Sequence, residues 1–143
     1  MKNPILLFLI IPLAGITAFY LPQDPTTHLL EVRSDPWPIN LQRIIKRADT
    51  SYALEFRDQQ VLNGVVLDTL GFGNLEQLRY FEQGLSMLKK GNNGDIANFR
   101  NYSIKRTNVS KKEPTWYLLR FDGALTNFQQ PEADKLITLI KGL

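Results

Sequence analysis

Glu55, Asp58, Asp68 and Asp122 are the carboxylates whose surroundings invite a test for chemistry, because each lies in or beside a segment of strand character. General acid–base work and glycosidic cleavage need two carboxyl groups held at a fixed separation beside a cleft. The local patterns give each a simpler role. Glu55 falls on the polar face of an alternating run. Asp58 opens a hairpin, and Asp122-Gly123 is a turn signal. Asp68 interrupts the apolar run "VVLDTL", where a cross-strand ion pair with Arg57 or Arg120 is expected. The single histidine, His28, stands among prolines, so a metal site or a serine triad would rest on it alone. There is no cysteine, which excludes a disulfide framework, a thiolate metal site, a thiol nucleophile and a lipidated-cysteine anchor. Gly71-Phe72-Gly73 follows a strand and precedes a helix, but it lacks both the dinucleotide-binding spacing and the lysine of a phosphate loop. No cofactor or metal is expected. A small hydrolase is the lesser alternative to a binding role.

The densest charge is basic. Arg100, Lys105, Arg106, Lys111 and Lys112 precede the first acid of their stretch, Glu113. An electrostatic contact with anionic lipid or a cell-surface polymer is one reading. Strand alternation divides these cations, however. Tyr102, Ile104 and Arg106 share one face, while Ser103, Lys105 and Thr107 share the other. Single-strand nucleic-acid readers interleave cations with exposed aromatics. Here Tyr117, Leu119 and Phe121 are expected to face inward, so nucleic acid is not an expected partner. Cations on a sheet edge also prevent edge-to-edge pairing. Asn101-Tyr-Ser and Asn108-Val-Ser match the glycosylation sequon.

The elements that would position these residues follow from periodicity. "INLQRIIKRAD" fits either helix or strand spacing, and strand is favoured by the turn signal Asp49-Thr50. "SYALEFRD" places Tyr52, Leu54 and Phe56 on one face, and Asn63-Gly64 signals a hairpin back into "VVLDTLGF". Asn74 can cap a helix carrying Leu75, Leu78, Phe81, Leu85 and Leu88 as one stripe, with Lys89-Lys90-Gly91 at its end. Two strands are expected over residues 101–108 and 115–122, with "GNNGDIANF" before them as a loop. A second helix follows from Pro131.

The expected architecture is therefore α+β: a five-stranded antiparallel sheet with two helices on one face, in the order β-β-β-α-β-β-α. "LSMLKKG" and "LITLIKG" end two strand–strand–helix stretches of similar length, which suggests an internal duplication. The uncovered face would carry Ala53, Glu55, Val66, Trp116 and Leu118. Of these, Val66, Trp116 and Leu118 would form an apolar patch for a protein partner or a second copy.

The 143 residues allow one domain. Residues 1–21 hold one early cation and then an uncharged apolar run, which reads as a signal peptide or a membrane anchor. Either places the rest of the chain across a membrane, in the periplasm or outside the cell. Residues 22–38, with four of the eight prolines, read as a tether to an α+β domain over residues 39–143. Within that tether, "HLLEVR" could add an edge strand. The expected function is an exported, non-enzymatic binding or assembly module.

Overall fold

The computed structural model describes residues 25–34, 36–108 and 113–143. The proposed signal or anchor lies outside them, and so do Lys111 and Lys112. Among the described residues the chain forms two four-stranded antiparallel sheets and two helices. The first half is β1 (Thr26–Arg33), β2 (Ile39–Lys46), β3 (Asp49–Arg57), β4 (Leu67–Gly73) and α1 (Leu75–Lys90). The second is β5 (Ile96–Asn98), β6 (Tyr102–Thr107), β7 (Thr115–Arg120), β8 (Leu125–Gln129) and α2 (Gln130–Lys141). Each sheet is a meander in chain order, and each meander is followed by its helix.

The chain is α+β as expected, but the single five-stranded sheet is replaced by two sheets of four. Three further strands make the difference. β1 occupies much of the expected tether and pairs antiparallel with β2 along its length. β5 lies inside the expected loop and has three residues, too few for alternation to register. β8 runs directly into α2, and its "LTNFQ" carries only two strong apolar residues. The repeat of element order is therefore larger than strand–strand–helix. It also shifts the correspondence: Tyr52 lies in β3, the third strand of its sheet, whereas Tyr102 lies in β6, the second of its own.

The strand phases follow from register. Residues directly opposite in an antiparallel ladder share a face. Leu118 faces Ile104 and Trp116 faces Arg106, so Trp116 and Leu118 must join Tyr102 and Ile104 on the inner face. Trp116 and Leu118 are both 0% exposed. The expected patch of Val66, Trp116 and Leu118 is therefore not formed. Both faces of β7 are apolar, so composition alone could not choose between them. The outer face instead shows Leu119 and, just beyond the strand, Phe121 at 62% exposure.

One continuous core joins the two halves. Ile39, Leu41, Leu54, Phe56 and Leu70 come from the first sheet, and Ile104, Trp116, Leu118 and Phe128 from the second. Leu78, Phe81, Leu85 and Leu88 recur at helical spacing on α1, with Leu136 and Ile140 on α2. α1 packs on β3 and β4 of its own sheet and on β5 and β6 of the other, whereas α2 packs on β8 and on β1. Each helix thus bridges both sheets. Asn74 caps α1 by accepting from the Gln77 N–H at 3.0 Å. At α2 the Glu132 carboxylate accepts from the Gln129 N–H at 2.6 Å. Among the described residues no helix is long and apolar enough to cross a membrane.

Candidate binding groove

The carboxylates tested for chemistry are engaged in holding the fold. Glu55 accepts from Asn40 Nδ2 at 3.2 Å and from Gln42 Nε2 at 2.9 Å, forming a polar ladder across β2 and β3. Asp68 and Asp122 both pair with Arg120, whose guanidinium also donates to the Thr69 carbonyl at 2.9 Å. Asp58 accepts from the backbone N–H groups of Gln60 at 3.0 Å and Leu125 at 3.1 Å. Among the described residues no three His, Asp or Glu side chains gather around a common point.

The basic residues also separate. Arg106 turns to the end of α1, where its guanidinium donates to the carbonyls of Leu88 at 2.9 Å, Lys89 at 3.0 Å and Gly91. It serves the last carbonyls of the helix, which have no partner within the helix itself. Lys105 is exposed on β6 opposite Ile96. Arg100 stands at the two-residue turn between β5 and β6, closed by the Phe99 N–H donating to the Tyr102 carbonyl at 2.9 Å. These three cations do not make one stripe. Val66 is 46% exposed, but it belongs to the tip between β3 and β4, where Leu62, Val65 and Leu67 are also exposed.

Arg100 faces a concavity that the sequence did not reveal. A groove of about 860 Å³ lies between α1, β4 and the β5–β6 hairpin. Its size is within the usual range for a ligand-binding cleft. Phe72, Phe99 and Tyr102 form its aromatic part. The Phe99 and Tyr102 rings stack at 4.4 Å with an interplanar angle of 10°. Phe72 meets Tyr102 edge to face at 6.2 Å. Burial pushes the Tyr102 hydroxyl well above the usual tyrosine range, so it stays neutral. Gly84 makes the wall possible. A Cβ there would stand 2.5 Å from the tip of the Phe99 ring, so only glycine lets the ring lie against α1.

The rim carries Tyr80, Met87 at 58% exposure and Ile96 at 49%. Its polar lining is mostly amide: Gln77, Gln83, Asn98 and Asn101. Arg100 is the one charged residue lining it. These side chains come from positions that periodicity assigns to a solvent face or a loop. The "GFG" stretch was the nearest sequence signal, and both of its glycines do line the groove.

No protein-family model, no curated protein and no solved structure matches the chain.

Proposed function

We propose that the chain is a binding module, and that the groove between α1, β4 and the β5–β6 hairpin is its docking surface. The observation that carries this reading is the gathering of exposed Tyr80, Met87 and Ile96 around a concave aromatic floor. Apolar side chains scattered singly over a surface need no explanation, but apolar side chains grouped on a cleft do. The uncharged run over residues 4–21 supports export of the domain, by a cleaved signal or on a retained anchor. A second surface has its own support. Leu119 and Phe121 are exposed on the outer side of the second sheet, and Leu119 lies opposite Leu125.

The two surfaces are separated by substitution. Met87→Asp with Ile96→Asp places charge on the groove rim at exposed positions and should leave thermal unfolding nearly unchanged. Co-purification of the partner, or self-association measured by sedimentation, is expected to fall at least tenfold. Leu119→Ser with Phe121→Ser should leave either intact. The reverse pattern would move the docking surface to the outer sheet face.

A further inference from the structure

The groove's walls include two strand edges. β4 is the last strand of the first sheet and β5 the first strand of the second, so each has one unpaired side. In an antiparallel ladder, alternate residues turn their N–H and C=O toward the neighbour or away from it. The hydrogen bonds fix which residues do which. Phe99 N donates to the Tyr102 carbonyl and Arg106 N to the Asp95 carbonyl, so residues 95, 97 and 99 address β6. Ile96 and Asn98 therefore direct their main-chain groups outward. On β4, Asp58 N donates to the Val66 carbonyl at 3.0 Å, so residues 66, 68 and 70 address β3. Leu67, Thr69 and Gly71 are turned outward. Thr69 agrees, because its carbonyl accepts from Arg120. The comparable free edge of β8 is covered: Leu125 accepts from the Gln59 N–H at 2.8 Å. Ile96, Asn98 and Gly71 all line the groove.

Gly71 adds a separate point. Its φ is not in the left-handed region, and a Cβ on it would meet nothing within 4 Å. The register skips a residue beside it, from Ala53–Gly71 to Tyr52–Gly73, so this glycine adjoins a β-bulge, and its bare backbone is also open to close approach by another chain. The electrostatics narrow the occupant further. Arg100, the one charged lining residue, makes no ion pair among the described residues, while the rest of the lining is aromatic, aliphatic or amide.

From the outward main chain of Ile96 and Asn98, the bare backbone of Gly71 and the lone charge of Arg100, we infer that the groove takes an extended segment of a partner protein, added as a strand on the β5 edge, with alternate apolar side chains and one carboxylate opposite Arg100. Main-chain hydrogen bonds would give such a segment its affinity, and alternate side chains its selectivity. This inference rests on the groove being the docking surface.

The test uses amide NMR on the full chain. Three blocked peptides serve as probes: alternating Val and Thr with a Glu near one end, the same with Lys in place of Glu, and the first with alternate backbone nitrogens methylated. 1-Anilinonaphthalene-8-sulfonate serves as a non-peptide probe of the groove. The Glu peptide is expected to shift the amides of Ile96, Asn98 and Gly71 and to slow their hydrogen exchange. Affinity should fall about tenfold for the Lys peptide, for the methylated peptide and for Arg100→Ala. Asn98→Pro removes one outward N–H without touching the β5–β6 ladder and should weaken binding about as much. If the dye shifts groove amides but the Glu peptide does not, the peptide inference is overturned and the groove reading stands. If neither probe touches the groove, both fail. Equal binding of the Glu and methylated peptides overturns the strand-addition geometry.

Discussion

At the residue scale, two buried polar atoms stand out in the second sheet. Trp116 Nε1 and Thr126 Oγ1 are buried and have no hydrogen-bond partner among the described residues. Thr126 lies opposite Leu118 and Trp116 opposite Phe128, so the two are diagonal neighbours on the inner face. A buried hydroxyl without a partner costs about 1–3 kcal/mol. Thr126→Val keeps the shape and removes the hydroxyl. It is expected to stabilise the domain by about 1 kcal/mol, raising Tm by several degrees in calorimetry. A fall in Tm would mean that the hydroxyl is satisfied in solution. Trp116 also shows where sequence patterning reaches its limit. The run "TWYLLRF" is apolar on both faces, and only the cross-strand partners of β6 decide which face turns inward. Side chains on β6, where Tyr102 and Ile104 alternate with Ser103 and Lys105, could be placed from the sequence because one face is polar.

At the element scale, the two helices are tied together by charge as well as by packing. Lys89 near the end of α1 pairs with Asp134 in the first turns of α2, and Asp134 also accepts from Gln130 Nε2 at 2.9 Å. These contacts, the Gln130 hydrogen bond first and then Lys89, hold the Asp134 carboxyl below its usual range. A carboxyl depressed in the folded state contributes stability above its unfolded pKa, near 4. That contribution is lost as pH falls through the lower, folded value. Asp134→Asn is therefore expected to lower stability at pH 7 and to flatten the acid side of the stability–pH curve, as read by urea denaturation from pH 7 down to pH 2. The effect is modest, because the pair is partly exposed and open to screening. Unchanged curvature would show that the pair contributes nothing. The elements themselves were legible where length and caps agree. Asn74, Lys89, Lys90 and Gly91 bracket α1 where the sequence places it. The edge strand foreseen in "HLLEVR" is β1, whereas β5 and β8 were not legible, since they are too short or too polar for alternation to register. The short β5 exists because β6 pairs with it and α1 packs over it.

At the scale of the whole molecule, the groove is a consequence of how two similar halves meet. The first sheet ends in the open edge of β4, the second begins with the open edge of β5, and α1 spans the junction. The concavity lies where β4, α1 and the β5–β6 hairpin come together, and no single segment of sequence contains it. This is why the cations and the "TWYLLRF" strand drew attention in the sequence while Met87, Ile96 and Asn98 did not. The three described cations, Arg106, Lys105 and Arg100, divide between a helix end, an exposed strand face and one wall of the groove. Of the apolar run, Trp116 and Leu118 are core, while Leu119 and Phe121 are exposed.

The most direct measurement places a photo-activated cross-linking amino acid at one exposed position at a time in the full chain, in its native cells. The positions are Met87 on the groove rim, Phe121 on the outer sheet face and Leu29 on β1, all exposed and so tolerant of replacement. A discrete adduct at Met87, lost when Ile96→Asp is added and absent at Leu29 and Phe121, is the expected result. An adduct at Phe121 with none at Met87 would contradict the groove as the docking surface.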